Sequence, residues 1–166
     1  MRKFLGTCVA GAALLLLPGS ASAQVVTMHA ILSGGEETPG VVVTGAVGTV
    51  DVAIDATNRE VSVTLRVFNI PDGASTTAGH FHVGPKGAGG PVVLNFPSSI
   101  AGRNGDFTMT FRLSQASFIA RPAQGINTID DMIQAMVAGN AYANVHTTAN
   151  PGGEVRGQLL SGPLVQ

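Results

Sequence analysis

The sequence predicts an all-β domain, an antiparallel β-sandwich or Greek-key barrel of about eight strands with one short crossover helix. Three observations lead there. Val61, Val63, Leu65 and Val67 alternate with Ser62, Thr64 and Arg66, and Phe107, Met109, Phe111 and Leu113 alternate with Thr108, Thr110 and Arg112. Successive side chains of a strand point to opposite faces, so each run reads as a half-buried strand. Weaker alternation marks 25–32, 46–54, 78–83, 92–96, 141–147 and 154–160, and clusters of Gly, Pro and Asn separate these runs. The third observation is one stretch of the other period. Ile129, Met132, Ile133, Met136 and Val137 recur at helical spacing, with Asp130 and Asp131 in the first turn and Gly139 after the end. This predicts a helix over 128–138, crossing between strands.

The first 23 residues have the pattern of an export signal: Arg2 and Lys3 as the basic start, an apolar run over 4–17, and Ala21-Ser22-Ala23 as the cleavage site. A bilayer span needs about 20 apolar residues, and neither this run nor any later one is long enough. The expectation is a mature chain starting at Gln24 and forming one domain over 24–166, secreted, periplasmic or at the cell surface. Cys8, the sole cysteine, leaves with the signal, so disulfides and thiolate metal sites are excluded from the mature chain. The signal also removes two basic residues. Seven basic against ten acidic side chains remain, a net charge of −3 with histidine neutral. Lys86 is then the only lysine, and no basic stripe exists to follow a phosphate backbone, which argues against nucleic acid as a partner.

The Gly-rich segment Gly84-Pro85-Lys86-Gly87-Ala88-Gly89-Gly90 lacks the Gly-Lys-Ser/Thr ending and the following helix of a phosphate-binding loop. It reads as a flexible hairpin loop. Asn150-Pro151-Gly152-Gly153 reads as the turn between the last two strands. No Gly-x-Ser-x-Gly frames a nucleophile, and no carboxylate pair stands out for glycoside chemistry.

Three segments carry a family resemblance. They are Leu32-Ser33-Gly34 with the acidic-Pro turn Glu36-Glu37-Thr38-Pro39; Gly79-His80-Phe81-His82-Val83-Gly84 followed by Gly90-Pro91-Val92-Val93; and Tyr142-Ala143-Asn144-Val145-His146-Thr147 with the run from Asn150 through Gly153-Glu154-Val155-Arg156-Gly157-Gln158-Leu159. Spread over nearly the whole mature chain, they resemble the CHRD domain, the module named after chordin. The resemblance implies an extracellular domain and leaves its chemistry to be argued from a site.

Histidine supplies the only concentrated chemistry. On 78–83 Phe81 and Val83 claim the core, so His80 and His82, about 7 Å apart along the strand, share the outer face. The same parity turns Ala143 and Val145 inward and Tyr142, Asn144 and His146 outward. It also sends Glu154, Arg156 and Gln158 outward, and places His29 outside while Met28 and Leu32 turn in. If the strands of His80 and His146 approach, three imidazoles converge on a solvent-open outer face, an arrangement that suits copper or zinc. In the absence of thiolates and in an oxidising compartment, copper is the expected cofactor.

The Gly79-His80-Phe81-His82 strand also resembles the His-x-His strand of the Cu,Zn superoxide dismutases, in particular the copper-only members, since no zinc-loop cluster or cysteine pair is present. That resemblance implies His80, His82 and His146 as copper ligands, His29 as a fourth, superoxide as substrate, and Arg156 as the catalytic-site cation that attracts it. A plain surface role for Arg156 is a charge pair with Glu154 or another carboxylate, worth at most about 1 kcal/mol. Two function classes stay open at this level. One is a copper-dependent, superoxide dismutase-like oxidoreductase. The other is a non-enzymatic binding or assembly module whose small-residue strands and sheet edges dock an extracellular or cell-surface protein partner.

Overall fold

The computed structural model describes residues 25–162. The expected signal segment lies outside the described residues. Among these residues nine strands and one α-helix follow in chain order, with short 3-10 turns between them: β1 (Val25–Ser33), β2 (Val47–Asp55), β3 (Glu60–Phe68), β4 (Thr76–Val83), β5 (Val92–Asn95), β6 (Phe107–Leu113), α1 (Ile129–Val137), β7 (Ala141–Thr147), β8 (Val155–Gln158) and β9 (Leu160–Ser161). They form one antiparallel sheet in the order β5-β4-β7-β8-β1-β2-β3-β6, with β9 pairing β1. The sheet curls into a nearly closed barrel. Its two ends approach where Phe96, just after β5, meets Phe111 of β6 with ring centroids 5.0 Å apart, and Phe118 bridges to Leu94 of β5.

The inward faces make the apolar core expected from the alternation. Met28, Leu32, Val50, Ile54, Val61, Leu65, Phe81, Val145, Val155 and Leu159 are all buried in it. One expected strand, 154–160, is in fact broken. Leu159 turns into the core and donates its N–H to Ala141 O at 2.9 Å, which separates β8 from β9.

The helix lies where its period places it, linking β6 at one end of the sheet to β7 far along it. Thr128 caps it by accepting from the Asp131 N–H at 3.2 Å, while the Asp131 carboxylate accepts from the Thr128 N–H at 2.8 Å. This reciprocal pair satisfies two of the donors that a helix start leaves open. Ile129, Met132, Ile133 and Met136 are buried, but Val137 is 42% exposed.

Candidate metal centre

β4 and β7 pair antiparallel with His80 opposite Asn144, His82 opposite Tyr142 and Ala78 opposite His146. His146 is therefore the diagonal neighbour of His80, within reach of a long side chain. The ring nitrogens offered by His80, His82 and His146 all lie within 4.8 Å of one another. His80 Nδ1 and His146 Nε2 are hydrogen-bonded at 3.2 Å. Two ligands bonded at about 2.0 Å to one tetrahedral ion stand about 3.3 Å apart, so this pair already has the spacing of a coordination edge.

Two of the three rings are set in one tautomer by the backbone. A carbonyl oxygen can only accept, so His82 Nδ1–H donates to Gly90 O at 2.9 Å and His146 Nδ1–H donates to Pro151 O at 3.0 Å. Each then presents a bare Nε2. His82 Nε2 is buried without a hydrogen-bond partner among the described residues. Burial, reinforced by the neighbouring charges of His146 and His82, pulls His80 down to about 4. His82 is likewise drawn down to about 4, by burial first. Its hydrogen bond to Gly90 opposes the shift, and the charges of His146, Arg156 and Arg121 add to it. His146 is lowered by burial against the opposing bond to Pro151. All three rings are thus neutral at neutral pH, the form that ligates a metal.

The outer face around them is covered, which differs from the solvent-open site expected from parity. The 84–90 loop joins β4 to β5 as a hairpin, but it folds back over the sheet and is pinned there. Gly90 O accepts from both His82 and, at 3.2 Å, the Tyr142 hydroxyl, which in turn accepts from the Gly90 N–H at 2.9 Å. A Cβ at Gly90 would lie 1.7 Å from Val83 O, so only glycine permits this approach. Segment 34–45 covers the neighbouring strands. Asn144 donates to Glu37 at 3.2 Å, and Glu154 accepts from Thr44, from Thr147 at 2.6 Å and from Asn150 at 2.6 Å. Lys86 and Glu36, 3.1 Å apart, tie the two covers together.

Arg156 lies under this cover at 2% exposure, and it does not pair with Glu154 as a surface residue would. Its guanidinium donates to Thr38 Oγ1 and, at 2.7 Å, to Ala88 O, and it lies 3.6 Å from the centre of the Tyr142 ring. Tyr142 stacks in turn on His82, with centroids 4.7 Å apart and planes 9° from parallel. His29 is placed elsewhere. Three strand spacings separate β1 from β4, about 14 Å along the sheet, and His29 Nδ1–H donates to Gly162 O at 2.7 Å. It lines a separate cleft with Ile31, Lys86 and Leu160 and does not reach the three-histidine group as a fourth ligand. The sequence names Gly90, Glu37 and Thr38 only within the segments that carry the family resemblance and gives them no part in the site, and parity places Tyr142 outward without showing what it stacks on. The outward parity shared by Tyr142 and His82 was the one available signal.

Fold and site together define a small antiparallel β-barrel domain with a three-histidine group under a covered outer face. Compared with known protein families, residues 28–159 match the CHRD domain, and the chain belongs to that family. No curated protein and no solved structure matches the chain. Among the described residues, no helix is long and apolar enough to cross a membrane.

Proposed function

We propose that this CHRD domain is an exported metal-binding protein that holds one copper ion through His80, His82 and His146. The observation that carries this reading is the buried His82 Nε2, without a hydrogen-bond partner among the described residues, in a group of imidazoles whose ligand atoms lie within 4.8 Å of one another and of which His82 and His146 are held in one tautomer by Gly90 O and Pro151 O. An all-imidazole set without thiolate or carboxylate suits copper and zinc, and copper is the commoner winner of that competition on affinity. Bound copper would supply one-electron chemistry. The chain's own residues orient the rings and exclude water from one side of them, while His80 and His146 stay half-buried beside a cleft of about 200 Å³ that reaches His80. Superoxide dismutation is the reaction we assign to the loaded site. In this reading Arg156 acts from beneath the cover and not as an open steering cation.

Titration of the metal-free protein with cupric ion tests the binding. One equivalent should bind, and His80→Ala or His146→Ala should weaken it at least about 100-fold. Wild-type protein that binds no stoichiometric metal rejects the reading. A second reading, a binding or assembly module, is favoured by the exposed apolar side chains Ile31, Val47 and Leu160 on the outer side of β1, β2 and β9. Dismutase activity no greater than that of chelated copper, in protein that does bind copper, would leave the module without the enzyme.

A further inference from the structure

Among the described residues that surround the three histidines, Arg156 is the buried cation on their own face. Its position is fixed by hydrogen bonds to Thr38 and Ala88 and by the ring of Tyr142. The stack Arg156–Tyr142–His82 runs from the cation to a ligand ring, with separations of 3.6 Å and 4.7 Å. Other charges facing this layer are differently engaged. Glu154 is turned to Thr44, Thr147 and Asn150. Lys86 is paired with Glu36 at the surface. Arg121, behind β5, donates to Val92 O at 2.6 Å. Glu37 is the carboxyl that faces Arg156, and burial raises it to about 7 in spite of the Asn144 hydrogen bond and the guanidinium. Its charge therefore offsets Arg156 only in part at neutral pH.

A fixed positive charge in a low-dielectric layer opposes each further positive charge brought next to it, and it opposes two more than one. Building on the copper reading, we propose that Arg156 is a positioning residue that sets the preference of the site between the two copper ions. Through Tyr142 it holds His82 in place, and through its charge it favours the monovalent over the divalent ion. The same layer then stabilises reduced copper without any sulfur ligand.

The test compares affinities for monovalent and divalent copper, measured separately by competition with chelators specific for each ion, on the full folded chain at pH 7. Arg156→Gln should lower the ratio of monovalent to divalent affinity by about tenfold, or ~59 mV in a one-electron couple. Arg156→Lys, which keeps the charge and loses the planar fork, should restore most of the ratio while altering the visible spectrum of the divalent form. A role in packing alone would weaken both ions equally, and an unchanged ratio in Arg156→Gln overturns the proposal. If that variant does not fold, Glu37→Gln serves. Removing the carboxylate that faces the guanidinium should raise the ratio at pH 8, and no change there overturns the proposal as well. Wild-type protein that binds neither ion instead rejects the copper reading, so the two failures are distinguishable.

Discussion

The two halves of the barrel bury their strands in different ways. In β2 and β3 every second residue is buried and the others are half-exposed or exposed, as in an antiparallel sheet with one face in water. In β7 and β8 all but one residue is buried, although the outward set includes Asn144, Arg156 and Gln158. Both halves share one apolar interior. Only the second has another buried layer outside it, and that layer is polar. It can be so because its groups find partners in the covers, through Thr38, Thr44, Ala88 and Gly90. The difference teaches where chemistry settles in this fold: an imidazole on the open half would be hydrated and protonated near its ordinary value, whereas beneath the covers it is held neutral and oriented.

That contrast can be broken most sharply with one carboxylate from each half. Burial pushes Glu154 up, but the hydrogen bonds of Asn150, Thr147 and Thr44 outweigh it and hold the carboxyl below its ordinary range. Glu154→Ala strands these donors in a buried layer and should cost about 3 kcal/mol or more in chemical denaturation. Next comes Gly90→Ala. The clash with Val83 O forces the 84–90 cover off the sheet, with an expected loss of about 2 kcal/mol and a metal affinity about tenfold weaker because His82 loses its orienting carbonyl.

A third expectation concerns pH in the metal-free protein. His80 and His82 sit at about 4 when folded against an ordinary 6.5. The stability tied to their neutral forms is complete above pH 6.5 and is lost as pH falls through about 4, because the unfolded chain takes up protons first. Glu37, raised from 4.5 to about 7, has the opposite sign: its contribution is complete below pH 4.5 and lost as pH rises through about 7. The histidines should prevail on acidification. Glu37→Gln should steepen the decline between pH 6.5 and 4.5, read as urea midpoints at a series of pH values. The smallest effect belongs to the open half. Glu60, half-exposed and 3.3 Å from an exposed Arg112, should change stability by less than about 0.5 kcal/mol as Glu60→Ala.

The inner layer was legible in the sequence because burial on one face leaves a period of two, and the helix because Ile129, Met132, Ile133 and Met136 leave the other period. The site was legible to the extent of its parity: His80, His82 and His146 were placed on one face by the apolar residues between them. The cover was not. Strands β4, β7 and β8 carry polar side chains outward and so read as half-exposed, the same pattern as β3. What buries them are the loops 34–45 and 84–90, held in part through backbone groups such as those at Ala88 and Gly90, whose hydrogen-bonding power is common to every residue and has no signature in composition. The fate of Arg156 was hidden for the same reason, since its partners Thr38 and Ala88 sit in loops without periodicity. His29 shows the limit from the other side: correct parity gives a face and says nothing of how many strands lie between two residues on it.

The position of β1 has a consequence for the order in which the molecule can assemble. Its two neighbours come from opposite ends of the chain, β2 directly after it and β8 with β9 at the far end. Synthesis supplies residues from the N-terminus onward. The hairpins β1–β2–β3 and β4–β5 can form early from local pairing, but one edge of β1 remains open until the final strands arrive, and contacts of such long sequence separation are slow to close. His146, the Pro151 carbonyl that orients it, and Arg156 all belong to that last stretch. The chain therefore completes its barrel and its three-histidine group in the same late step, and an incomplete chain has neither.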